Sequence, residues 1–237
     1  MSGHSHWAGI KQRKGVNDAK RAKVFTKLAK PITIAAREGD GNPNTNFKLR
    51  MAIDKAKEFN MPKENIDRAV KRGTGELKGA EIVEVLYEAM GPGNIMMLIH
   101  ATTDNRNRTV SEIKTILTKT GGKMGEMGSS MWNFEQAGSL IIDTKGKNAE
   151  ELELLAIEAG AKDMKNDKET FIIFTEPKDL QKVQGELEKE KLKILESGLV
   201  YIPKTTASID ENTRLDYEKL LEQLDDQEDV DEIYDTL

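Results

Sequence analysis

The stretch Gly138–Thr175, GSLIIDTKGKNAEELELLAIEAGAKDMKNDKETFIIFT, decides the fold. It opens as an apolar strand, and Asn148 then stands as a helix cap with Glu151 three residues on, the pattern of a capping box. Leu152, Leu155, Ala156 and Ala159 recur at i, i+3, i+4 and i+7, and Gly160 ends the helix. A strand around Met164 and another at Thr170–Thr175 follow, then a second helix and the strand GLVYIP, Gly198–Pro203. Strand, helix, strand, strand, helix, strand is the order of the ferredoxin-like motif.

Outward on both sides lie the parts of a second such unit. Before it, Val83–Ala89, a GPGN turn and Ile95–Ala101 predict a hairpin, followed by a helix with Val110, Ile113 and Leu117 inward and a strand at Ser130–Phe134. After it come a predicted strand at Thr205–Ile209, a helix with Tyr217, Leu220, Leu221 and Leu224 inward, and a strand at Val230–Tyr234. Residues 80–134 plus 204–237 then form a middle domain, split by the insertion of 135–203.

Residues 1–79 read as a helical domain. Val24, Leu28, Ile32 and Ala35 give one apolar stripe, with a kink or a new helix expected at Pro31, which lacks an amide proton. A helix over Thr45–Phe59 and another beginning near Pro62, with Ile66, Ala69 and Val70 inward and Lys71 and Arg72 in its last turn, complete it. The fold class expected is α+β in three lobes: an N-terminal helical domain and two ferredoxin-like α/β domains, one inserted in the other.

Charge is divided along the chain. Residues 1–79 hold 18 Lys+Arg against 8 Asp+Glu, whereas the remaining 158 hold 18 against 33. A basic lobe on an acidic body suits a polyanion. Lys20, Arg21, Lys23, Lys27 and Lys30 on the first helix, with Lys11, Arg13 and Lys14 on the preceding arm beside Trp7, are the expected nucleic-acid contacts. The acidic lobes are the place for a protein partner. Their stretch DDQEDVDE, Asp225–Glu232, lacks the glycine and spacing of a calcium loop and reads as a solvated face; the sharper alternatives are that the acidic lobes repel nucleic acid and restrict its contact to one end of the molecule, or that they bind the basic lobe.

The heptad TDNRNRT, Thr103–Thr109, joins a strand to a helix N-terminus. Thr109 with Glu112 forms one capping pattern, and Asp104 or Asn105 would cap an earlier start. Asp104, Asn105, Arg106, Asn107 and Arg108 are therefore either ligand contacts or a lock between lobes.

Enzyme chemistry has little to start from. Cysteine is absent, no G-x-S-x-G occurs, and the glycines at 121, 122, 125 and 128 fit neither phosphate-loop pattern. His100 with Asp104 is the one conceivable hydrolytic pair, but His100 alternates with Met96 and Leu98 on a strand face and reads as packed. No metal site, cofactor or membrane span is expected, and the cytoplasm is the expected location.

Four blocks carry a resemblance: Gly3–Lys30 (GHSHWAGIKQRKGVNDAKRAKVFTKLAK), Asn60–Glu76 (NMPKENIDRAVKRGTGE), Thr103–Thr109, and Gly121–Phe134 (GGKMGEMGSSMWNF). They resemble the YebC family of transcriptional regulators, related to the mitochondrial translational activator of cytochrome c oxidase. The resemblance implies three lobes and a role in gene expression through nucleic acid: promoter DNA on one reading, ribosomal RNA and the ribosome on the other.

Overall fold

A computed structural model describes residues 18–144, 148–167 and 170–237. In chain order its elements are α1 (Asp18–Glu38), α2 (Phe47–Glu58), α3 (Lys63–Gly73), β1 (Val83–Met90), β2 (Met96–Thr103), α4 (Arg106–Lys119), β3 (Lys123–Met124), β4 (Phe134–Asp143), α5 (Ala149–Ala159), β5 (Asp163–Asp167), β6 (Thr170–Thr175), α6 (Leu180–Lys189), β7 (Ile194–Pro203), α7 (Glu211–Asp225) and β8 (Val230–Asp235). They form two compact units, one from the chain before Phe134 together with Thr205–Leu237, the other from Phe134–Lys204.

In the first unit α1 packs between α2 and α3 through Leu28, Ile32, Ala35, Leu49, Ile53, Ile66 and Ala69. Asn46 caps α2 by accepting the Leu49 amide, while its own side-chain amide donates to the carbonyls of Ala35 and Asp40 and so closes the loop after α1. α1 runs through Pro31 without a break, against the expected interruption. Ile32, with no exposed surface, and the buried Ala35 and Ala36 on the next turn hold it against two helices, and that burial offsets the missing hydrogen bond.

Beside these helices lies an antiparallel sheet in the order β3-β1-β2-β8. Met97 and Ile99 of β2 meet Ile113 and Leu117 of α4 and Tyr217, Leu220 and Leu224 of α7 in one core. Two expected strands differ. Ser130–Phe134 is a 3-10 turn at Met131–Asn133 followed by the start of β4. Residues 205–209 are irregular, because the Asn133 side chain takes the amide and hydroxyl of Thr205 and donates to its carbonyl, leaving the Ala207 amide to reach the Thr236 carbonyl. The two-residue β3 supplies the fourth strand instead.

The second unit is an antiparallel sheet ordered β5-β6-β4-β7 with α5 and α6 against Leu140, Ile142, Phe171 and Ile173. Asn148 caps α5 and Gly160 ends it in the left-handed region. This is the ferredoxin-like order. The first sheet has the same spatial order if β1 occupies the place that β6 holds in the second, so the two differ in where the chain enters.

No helix among the described residues is long and apolar enough to cross a membrane. A side chain on Gly73 would stand 2.3 Å from the Thr33 carbonyl and 2.7 Å from Ala36 Cβ, so α3 approaches α1 only because this position is glycine. Gly73→Ala is expected to lower unfolding free energy by about 1–3 kcal/mol in urea titration.

Candidate nucleic-acid interface

The geometry starts at the turn after α7. The Gln227 side-chain carbonyl accepts the amides of Asp229 and Val230, and the turn so formed carries Asp229 into the protein, where it is 1% exposed. One carboxylate oxygen accepts Lys30 Nζ at 2.6 Å; the other accepts Arg108 at 2.8 Å, the Thr109 hydroxyl at 2.7 Å and the Thr103 hydroxyl at 3.3 Å. Burial works to raise the Asp229 pKa, but the bonds from Arg108, Lys30 and Thr109 outweigh it and hold it at about 2.

Lys30 also donates to the carbonyls of Thr102 (2.8 Å) and Glu228 (2.9 Å), so its ammonium group is fully engaged. One turn earlier Lys27, 6% exposed, donates to the Asp225 carbonyl; burial lowers its pKa while Asp225 and Asp231 act to raise it. Lys55 of α2 stands 3.8 Å from Glu232, and Arg37 donates to the Ile82 carbonyl. Basic helices are thus clasped to the acidic stretch Asp225–Glu232. That stretch is a binding partner for the helices and not the solvated face expected of it, since only Asp226 and Glu228 within it are exposed.

Lys27 and Lys30 therefore correct the expected set of contacts, because both ammonium groups are spent inside the protein. Helical spacing put them on one face correctly; it carried no information on what that face meets. Lys23 is exposed. Lys11, Arg13 and Lys14, and the side chains of Lys20 and Arg21, lie outside the described residues.

In the heptad, Asn105 caps α4 by accepting the Arg108 amide, and Thr109 is buried inside the helix, not at its cap. Arg108 pairs with Asp104 (3.1 Å) and with Asp229, which makes it part of the clasp. Asp104, Asn105, Arg106 and Asn107 face solvent, with Asp104 held in its ion pair and Asn105 in its cap. His100 Nδ1 lies 3.4 Å from Asp231, whose carboxylate also accepts the Thr102 hydroxyl. His100 and Asp104 thus have different partners, Asp231 for the one and Arg108 for the other. Burial works to lower the His100 pKa, yet Asp231, with Glu84 and Glu232 beyond it, raises it overall.

Free cations remain on α3. Arg68, Lys71 and Arg72 are exposed, make no ion pair among the described residues, and lie away from the inward Ile66, Ala69 and Val70. A side chain on Gly79 would stand 3.0 Å from Arg72 Nε, so that glycine leaves the guanidinium its place. Beyond their place in the last turn, Lys71 and Arg72 carry a further signal in the sequence, the spacing 68, 71, 72 opposite an apolar face.

Comparison with known proteins covers both ends of the chain. Residues 5–76 match the TACO1/YebC protein N-terminal domain, and residues 82–237 match the TACO1/YebC second and third domain. A relative from Caldanaerobacter subterraneus subsp. tengcongensis, "Probable transcriptional regulatory protein TTE1135", is 46% identical over 235 residues, covering 99% of this chain and 97% of that protein. A "Probable transcriptional regulatory protein" of Thermotoga maritima is 47% identical over 238 residues, covering 99% and 92%. The crystal structure of a conserved hypothetical protein, Aq1575, from Aquifex aeolicus superposes with a TM-score of 0.88 at 43% identity, covering 98% of this chain and 96% of that one.

Asp229→Ala strands Lys30 and Arg108 and is expected to cost about 3–5 kcal/mol of stability. Because the folded pKa of Asp229 lies below its ordinary 3.8, the wild-type contribution is complete above that value and is lost as pH falls through about 2. His100 has the opposite sign. Its folded pKa is above the ordinary 6.5, so its contribution is complete below 6.5 and is lost as pH rises through the raised value. Urea midpoints taken across neutral pH should fall with rising pH in the wild type and flatten in His100→Asn.

Proposed function

The chain belongs to the TACO1/YebC family, and from that premise we propose that it regulates gene expression by binding nucleic acid through its N-terminal helical part, with promoter DNA as the target. One observation carries the reading: after the clasp has consumed Lys27, Lys30 and Lys55, the helices still present Lys23, Arg68, Lys71 and Arg72 to solvent. Relatives named as transcriptional regulatory proteins support the choice of DNA. Lys11, Arg13, Lys14, Lys20 and Arg21 are further contacts on this reading, taken from the sequence alone. The division into 1–79, 80–134 plus 204–237, and 135–203 assigns binding to the first part and orientation or partner recruitment to the others. On the last of these, Leu154 and Ile157 are exposed on α5 among Glu150, Glu153 and Glu158, a surface suited to a basic protein partner. The cytoplasm is the proposed location.

A second reading, a ribosome-associated translation factor that binds ribosomal RNA, is favoured by the exposed Trp132, because folded RNA offers unpaired bases to an aromatic face. Ultraviolet crosslinking in cells, followed by sequencing of the attached nucleic acid, separates the two. Promoter fragments are the expected yield, and ribosomal RNA in their place would overturn the choice of DNA.

Joint replacement of Arg68, Lys71 and Arg72 by glutamine is expected to weaken binding and to reduce the salt-dependence slope by about 2 to 3 on duplex DNA, with the melting temperature unchanged. An unaltered slope removes α3 from the interface.

A further inference from the structure

The helix α5, with the sequence AEELELLAIEA, is apolar on two faces. Leu152, Ala156 and Ala159 are buried and Leu155 packs beside them in the core of the second unit, which accounts for one face. Leu154 and Ile157 stand on the opposite face, one turn apart, 57% and 61% exposed. A helix packed on one side ordinarily turns charge to water on the other. Neither residue is needed to make the helix, since glutamate or lysine forms one about as well as leucine and better than isoleucine.

Acid surrounds the pair. By helical spacing Glu150 lies one turn before Leu154, Glu153 one turn before Ile157, and Glu158 one turn after Leu154. All three are exposed and make no ion pair among the described residues. Glu150 suits the first turn, where the helix dipole favours an anion. Glu158 stands in the last turn, where the dipole opposes it, and α5 carries no lysine or arginine to compensate. The acid at that end therefore does nothing for the helix itself.

Two aliphatic side chains among unpaired carboxylates select a partner by exclusion. Nucleic acid would bring phosphate to glutamate. A second copy, presenting the same face across a two-fold axis, would bring glutamate to glutamate. A cationic surface with an apolar strip satisfies both parts, and the exposed pair is a strip one side chain wide, which a helix laid alongside covers.

We propose that the outer face of α5 is a docking site for a basic amphipathic helix of another protein. Its aliphatic side chains cover Leu154 and Ile157, and its lysines or arginines meet Glu150, Glu153 and Glu158, as the charges flanking an apolar seam match two helices. The proposal rests on the partner-recruiting role given above to residues 135–203 and is independent of the nucleic-acid contacts on α3.

The probe is a fluorescein-labelled 18-residue helix of leucine and lysine, with a leucine–glutamate helix of the same pattern as control, each titrated into the full chain by anisotropy. Binding of the basic peptide alone is expected. Leu154→Gln with Ile157→Gln should weaken it about tenfold or more. Glu150→Gln, Glu153→Gln and Glu158→Gln together should weaken it and flatten its dependence on salt. Both variants should keep the wild-type melting temperature, because every altered side chain is exposed. Wild-type affinity in the Leu154 and Ile157 variant overturns the site, since the peptide then sits elsewhere. Self-association of the wild type in sedimentation velocity, abolished in that variant, overturns it in favour of a second copy. Duplex DNA is titrated into the same samples. A wild type that binds DNA but not the basic peptide loses the docking site alone; one that binds the peptide but not DNA loses the nucleic-acid reading alone.

Discussion

A buried carboxylate has to be neutralised, and at Asp229 the neutralising groups come from two separate parts of the chain. Lys30 reaches it from α1 and Arg108 from the start of α4, while Thr103 and Thr109 fill the remaining acceptor sites. Removing either charge would leave the other uncompensated out of water, which costs several kcal/mol. The position of the helices on the sheet follows from this one requirement. Lys27 on Asp225, Lys55 near Glu232 and Arg37 on the Ile82 carbonyl repeat the attachment at other points.

The division of charge along the chain acquires a different meaning once this is seen. Part of the basic surplus of residues 1–79 is matched internally by the acidic end of the chain, and the remainder stands on α3 and at Lys23. Net charge by segment therefore overstates what a polyanion can meet. It also conceals where the free cations lie, because the stripe most regular in sequence is the one the protein uses itself.

Glu88 does for the glycine-rich loop after β3 what Asp229 does for the helices: its carboxylate accepts the amides of Gly128, Ser130 and Met131. In both cases a carboxylate anchored on or beside the first sheet gathers donors from elsewhere in the chain and stays ionised because it has them. The donors differ. Backbone amides gathered on Glu88 fix the shape of a short turn, whereas ammonium and guanidinium groups on Asp229 fix the placement of whole helices.

Local pattern determined most of the elements. The capped helix after Asn148, the hairpin across GPGN, the helices of the first lobe and the order of strands in the inserted unit follow from periodicity, caps and glycines, which act within a few residues and so are written in neighbouring positions. The YebC-like blocks likewise announced the family. Tertiary structure alone decided the rest: α1 continues through Pro31 because its next turns are buried between two helices, residues 205–209 stay irregular because Asn133 claims Thr205, and Lys27 and Lys30 turn inward because the acidic turn after α7 lies beside them. The partners in these contacts are separated by 72 to 199 positions at Asn133, Lys27 and Lys30, and no periodicity within a helix or strand can report what a distant segment brings to it.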